Sequence, residues 1–204
     1  MRIRTLARCV AASLLAVGTL SCGDVVRSSR SPVMLVINLL QAAKGNATTL
    51  STTLSSDVVT LVTSPAPCTA TAPCTTTFGD NGSVSLIAVM KDATVAPTSN
   101  NQVTVTGYHV EYRRADGHNV PGVDVPYPFD GAATATVVPG GTATALAFVI
   151  VRNAAKEESP LVQLRSSPDL ISTITDVTFY GHDVVGNEVS VTGSMLITFA
   201  NFGD

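Results

Sequence analysis

The side chains of this 204-residue chain that could do acid–base or metal chemistry are few and scattered. Three histidines stand at His109, His118 and His182. His109 reads as a mid-strand residue, and the other two fall in turn-like segments beside Asp116 and Asp183. A zinc site needs three or four converging ligands, and this spacing assembles none, so no metal site is expected. A serine hydrolase needs its nucleophile on a strained turn, and the chain holds no G-x-S-x-G. Ser194 follows Gly193 inside an alternating run and reads as an outward strand hydroxyl. Glycoside hydrolysis needs paired carboxylates on facing strands. Glu111 is the one mid-strand candidate in its segment, with Arg113 on the same face as a surface ion-pair partner. Asp116 to Asp130 gathers three aspartates with Gly117, Asn119 and Gly122, either as plain turn chemistry or as hard oxygen ligands for Ca²⁺. Tyr108, Tyr112 and Tyr127, with Phe129 beside them, are a candidate ligand face. The competing reading is that aromatics at period two are core or cross-strand pairs.

The N-terminus carries an address. Met1 to Arg8 holds three arginines, and Val10 to Leu20 is an eleven-residue apolar run. This is the layout of a signal peptide, and the run is too short to span a bilayer. It ends in Thr19-Leu20-Ser21-Cys22-Gly23, which resembles a bacterial lipobox. That resemblance implies a diacylglycerol on the Cys22 thiol and, with Gly23 rather than Asp next, sorting to an outer membrane. The alternative is simple cleavage near Ser21 or Gly23, which releases a soluble secreted protein. Removing residues 1–22 takes away three arginines and no acid, moving the formal charge from −3 to −6. A protein so charged gains nothing from anionic lipid, so an anchor would have to be the acyl chains. Residues 23–32 (GDVVRSSRSP) read as a tether whose ten residues reach at most about 35 Å.

Of the four cysteines, Cys9 lies in the leader and Cys22 at the processing site. Cys68 and Cys74 remain, in PAPCTATAPC, and an even pair in an exported chain predicts a disulfide. The redox motif C-x-x-C is not what stands here.

Composition says what must hold these groups in place. Charged residues make up 13% of the chain, about half the usual quarter, which excludes a disordered acidic tail or a coiled coil. The acidic balance argues against a nucleic-acid partner. Val (28) and Thr (26) exceed a quarter of the residues, and β-branched side chains favour strands. Strand-like runs at 33–39, 57–63, 83–90, 102–115, 132–138, 143–152, 171–180 and 188–199 alternate with turn signals. Val123 to Phe129, with Pro126 and Pro128, reads as an edge strand. Asp80-Asn81-Gly82 reads as a turn, and Pro139-Gly140-Gly141 as the bend of a hairpin whose second arm is a central strand. Between Val105 and Tyr108 the apolar set changes face, which requires a bulge or a change of sheet near Thr106-Gly107. Asn153 to Leu164 is the one helical stretch, cut by Pro160, with Lys156-Glu157-Glu158 as its solvated face. Asn46-Ala47-Thr48 matches a glycosylation acceptor that a bacterial lipoprotein would not ordinarily use.

Thr106-Gly107-Tyr108-His109-Val110-Glu111-Tyr112-Arg113 resembles the third strand of a fibronectin type III domain. Pro139-Gly140-Gly141-Thr142 resembles a later turn of that family, and Asp183-Val184-Val185-Gly186-Asn187-Glu188 the D-x-x-G-N hairpin of bacterial immunoglobulin-like surface modules. The resemblance implies a binding or scaffolding role as a family habit. The expectation is therefore an all-β, immunoglobulin-like β-sandwich of about eight to nine strands with one short helix, over residues 33–204. It would serve as a non-enzymatic envelope lipoprotein for adhesion or protein docking, without cofactor, anchored to the membrane through Cys22. Its partner would be another envelope protein or a surface ligand. The alternative is a carbohydrate- or small-ligand-binding module, with calcium assistance from the aspartate loop.

Overall fold

A computed structural model describes residues 30–203. Cys22, the leader and most of the 23–32 tether lie outside the described residues. The described chain is all-β, with ten strands, one short α-helix and two 3-10 turns, the first of them Ser99–Asn101. Strands β1 (Val33–Ala43), β5 (Asp80–Met90) and β8 (Thr144–Val151) form an antiparallel sheet in the order β1-β5-β8. A five-stranded sheet runs β2-β10-β9-β6-β7, from β2 (Thr53–Asp57), β10 (Glu188–Ala200), β9 (Ile171–Asp183), β6 (Val103–Arg113) and β7 (Phe129–Val137). Strands β3 (Thr60–Val62) and β4 (Cys74–Thr76) make a separate hairpin. The short helix α1 (Asn153–Glu157) and a 3-10 turn, Leu161–Ser166, flank Pro160, where the helical stretch was expected to break. Among the described residues no helix is long and apolar enough to cross a membrane.

The two larger sheets share one core. Val33, Leu35, Val84, Leu86, Phe148 and Ile150 from the first meet Val103, Val110, Val177, Phe179, Ile197 and Phe199 from the second. The hairpin β9–β10 pairs without interruption from Ile171↔Phe199 to His182↔Glu188. Its inward Val189, Met195, Ile197 and Phe199 are buried, while Ser190, Thr192 and Ser194 face water, as alternation requires. In β6 the register slips between Val105 and Gly107, and Thr106 is the extra, exposed residue. That slip keeps Val103, Val105, Tyr108, Val110 and Tyr112 all buried on one face, as the change of apolar face demanded.

Four local expectations differ from what is seen. Residues 129–137 and 144–151 are not a hairpin: β7 pairs with β6 and β8 with β5, so Pro139-Gly140-Gly141 carries the chain from one sheet to the other. β8 is an edge strand, and its apolar outer residue Val149 is partly exposed. The proline-rich segment before Phe129 is loop, and the edge strand of its sheet is β7, which starts where the prolines end. Asp80-Asn81-Gly82 opens β5 instead of turning the chain. Its glycine serves packing: a Cβ on Gly82 would lie 2.3 Å from the Phe148 ring.

Chain ends and loops sort to two poles. At the pole where the chain enters at Val33 lie the β5–β6 connection, the β7–β8 connection and the β9–β10 turn. At the opposite pole lie the β3–β4 hairpin, residues 114–128, α1, the 3-10 turn and the C-terminal residues 201–203.

Candidate functional site

A buried ion pair sits at the far pole. Asp80 is 0% and Lys156 1% exposed. The Lys156 Nζ lies 2.9 Å from both carboxylate oxygens of Asp80 and donates at 2.8 Å to the Asp57 carbonyl. Asp80 also accepts from the Gly45 amide at 2.8 Å and from the Ser56 hydroxyl at 2.5 Å. Burial pushes the Asp80 carboxyl above the usual carboxylate range, and the Lys156 cation, Ser56 and Gly45 pull against it. Burial likewise pushes Lys156 below the ordinary lysine value, opposed by Asp80. A buried ion pair is retained only when its remaining hydrogen-bonding capacity is met, and here β1–β2 loop, β2, β5 and α1 all contribute partners. The pair therefore works as a clamp that fixes α1 to both sheets. The expectation of a solvated Lys156-Glu157-Glu158 face holds for the two glutamates and fails for Lys156.

Beside this clamp opens a cavity of about 630 Å³. Its wall includes Thr75, Thr76 and Thr77 of and beyond β4, Asn153 and Glu157 of α1, Arg165 of the 3-10 turn, and Asn201 and Phe202. Arg165 donates to the Thr77 hydroxyl at 3.0 Å and to the Lys156 carbonyl at 3.3 Å, and its own carbonyl receives the Asn201 amide at 2.8 Å. The rim is thus tied to the clamp through Arg165. The Cys68–Cys74 disulfide forms as predicted, with a Cα–Cα distance of 5.3 Å, and staples the loop between β3 and β4. The wall offers hydroxyls, carboxamides, a guanidinium and the Glu157 carboxylate beside Val59, Leu61 and the Phe202 ring, a mixed polar and apolar lining of the kind that holds small ligands.

The predicted site residues fall elsewhere. Tyr108 and Tyr112 are 4% and 3% exposed and point between the sheets, so with the half-exposed Tyr127 they make no common ligand face. Their polar ends explain why they are inside. The Tyr112 hydroxyl donates to the Ile150 carbonyl at 2.6 Å, and the Tyr108 hydroxyl accepts from the Val149 amide at 3.1 Å. Both partners lie on β8, so the second sheet satisfies edge groups of the first. Burial pushes the Tyr112 phenol far up. Tyr108 also packs edge-on against Phe129 and Phe148, and its ring occupies the space a Cβ on Gly131 would need, 2.1 Å away.

His109 bonds Asp130 at 2.9 Å, and His118 lies 3.6 Å from Asp116. Arg113 pairs with Asp176 rather than with Glu111, because cross-strand register brings β9 beside it. Ser194 donates to that same Asp176 at 2.6 Å. In the aspartate loop Asp116 engages Arg114, and Asp124 accepts the Val120 amide at 3.0 Å. Among the described residues no group of three or more His, Cys, Asp or Glu could hold a metal ion. The sequence reading missed Asp80, Lys156 and Arg165. The available signal was a lysine in a chain poor in charge, on a helix of two turns at most that must pack against a β body.

No family model, no curated protein and no solved structure matches the chain.

Proposed function

We propose that the protein is an exported, lipid-anchored docking module, held at one pole and presenting the other. The observation that carries this reading is the separation of the two ends of the body. The chain enters at Val33, eleven residues after Cys22, while the cavity, the cystine hairpin and the 114–128 loop lie at the opposite pole. The disulfide adds support, since such bonds persist outside reducing compartments. The immunoglobulin-like resemblance supports a binding role in the same direction. In this reading Cys22 carries the acyl chains and the far pole meets another envelope protein. Labelling cells with radioactive palmitate, with Cys22→Ala as the comparison, tests the anchor. Label on the parent and none on the variant supports it, and an unlabelled parent of mature length defeats it.

The cavity favours a second reading, a module for a carbohydrate or another small polar ligand. Its seat is then the wall of Thr75, Thr76, Thr77, Asn153, Arg165 and Phe202 rather than the tyrosines. A glycan array with and without Ca²⁺ tests it, and Arg165→Ala must abolish any hit. No response on the array, or a hit that survives the substitution, removes this reading.

A further inference from the structure

We propose that the pole where the chain enters is a membrane-contact surface, whose valine-bearing loop tips rest in the interfacial layer of a lipid bilayer. The inference takes its orientation from the anchor proposed above. Three separate connections end at this pole, and each exposes a valine: Val95 between β5 and β6, Val138 after β7, and Val184 and Val185 between β9 and β10. They are brought together by pairing. Val103, which follows the first connection, stands opposite both Val137 and Asp183, the residues that precede the other two. A Cβ on Gly140 would lie 3.1 Å from Pro97, so the first two loops touch.

The β9–β10 turn carries the argument furthest. Gly186 donates to the Asp183 carbonyl at 3.0 Å, which places Val184 and Val185 at the two central positions of the turn. Both valines keep negative φ while Gly186 takes the left-handed position at φ +86, so the turn geometry neither requires nor excludes them. Val185 is 82% exposed, the most of any large apolar residue described. The turn's own charge is folded inward. Asp183 is buried, accepts the amides of Val185 and Asn187 and the Asn187 side chain, and is bonded by Ser31. Residues 184–187 therefore present no carboxylate of their own, and the nearest exposed one is Glu188 at the start of β10. Exposed apolar residues also stand at the other pole, Val120, Val123 and Leu170 beside Arg114, Asp116, Asp124 and Asp169, as Lys91, Asp92 and Glu188 stand at this one.

The occupant follows from the length of chain outside the structure and where it ends. Ser31 ties the incoming chain to Asp183, so the tether leaves the body beside Val184 and Val185. Eight residues separate Cys22 from Ser31, a reach of about 30 Å at most. Acyl chains on Cys22 would hold this pole at the bilayer, where exposed valines gain by leaving water. A second copy of the chain fits less well, since four valine side chains fall short of the ~800 Å² per partner of a standard interface.

The test places an environment-sensitive NBD probe on Val185→Cys and, as control, on the exposed Val123→Cys of the far pole. The acylated proteins are reconstituted in phosphatidylcholine vesicles, and mass spectrometry reads the acyl group separately. The expected result is an emission increase of about two-fold or more at position 185, quenched by doxyl-labelled lipid, with none at position 123. A parallel hydrogen-exchange measurement on the unsubstituted protein must give slower exchange at residues 92–97 and 184–187 when vesicles are present. Acylated protein whose position 185 probe and loop amides behave as in buffer overturns the inference and leaves the anchor standing. Without acylation the anchor reading fails, and the soluble form decides the inference: a vesicle-induced change at position 185 supports it and no change overturns it. A probe that responds to protein concentration without vesicles identifies a second copy and also overturns it.

Discussion

Replacing Lys156 with methionine tests whether the buried pair is a structural clamp. The substitution keeps the aliphatic stem and removes three interactions, one with each Asp80 oxygen and one with the Asp57 carbonyl. Asp80 keeps Ser56 and Gly45 but is left as a carboxylate without a cation at 0% exposure. Breaking a buried pair on one side costs about 3–5 kcal/mol. For a domain of this size that is a fall in Tm of roughly 6–20 °C. The pH dependence is the sharper signature. In the variant the cation that pulled the Asp80 carboxyl down is gone, so burial raises it further in the folded state. Between the unfolded value of 3.8 and that raised folded value, the native state binds a proton that the unfolded state does not. Stability of the variant relative to the parent therefore falls as pH rises through this window and is lowest above it. Urea unfolding followed by circular dichroism at several pH values, with the disulfide intact, measures both quantities. A loss below about 1 kcal/mol, or a deficit that does not vary with pH, would refute the clamp. Adding Asp80→Asn to the variant should recover part of the loss, because the amide needs no counter-charge.

Three further expectations concern other contacts. Tyr112→Phe removes a donor to the Ile150 carbonyl and should cost about 1 kcal/mol, while Tyr108→Phe strands the Val149 amide and should cost about 1–3 kcal/mol, both read by urea unfolding. The Cys68→Ala, Cys74→Ala double variant opens a seven-residue loop, and the loop-entropy estimate bounds the loss at about 2.4 kcal/mol. Because the staple lies outside the core, calorimetry should find a small loss of Tm with cooperativity retained. Asp183 is pushed up by burial but held lower overall by Asn187, Ser31 and Val185, so its contribution is present above 3.8 and lost as pH falls through its folded value. Acid unfolding of Asp183→Asn should accordingly be shallower below pH 3.8 than that of the parent.

What the sequence disclosed follows the range over which each signal acts. The β9–β10 hairpin was legible because its alternation and its D-x-x-G-N turn are local, and the turn's Asp183 does bond the amides two and four residues on. The bulge in β6 was legible because period two cannot change face without an extra residue. The strand 53–57 was missed because it is stabilised from far away, by parallel pairing with 196–200. Asp80-Asn81-Gly82 has local turn chemistry, but pairing with Ala42 and Ala43 of β1 and with Phe148 and Val149 of β8 holds it as strand, and the Asp80 side chain goes to a lysine 76 residues later that no local pattern announces. The tyrosines were legible as a set but not as to side: their spacing fitted a surface face as well as a core, and only β8, whose Val149 amide and Ile150 carbonyl they bond, decides for the core. The cavity could not be read at all, because β4, α1, the 3-10 turn and the C-terminal residues converge only in three dimensions.

The parallel seam between β2 and β10 has a consequence for the order of events during synthesis. Among the described residues, β2 pairs within the five-stranded sheet with β10 alone, about 140 residues further along. Residues 53–57 therefore take their place in that sheet only once residues 196–200 are made, and loop closure of that span is slow. Completion of the larger sheet thus waits on its most distant pairing.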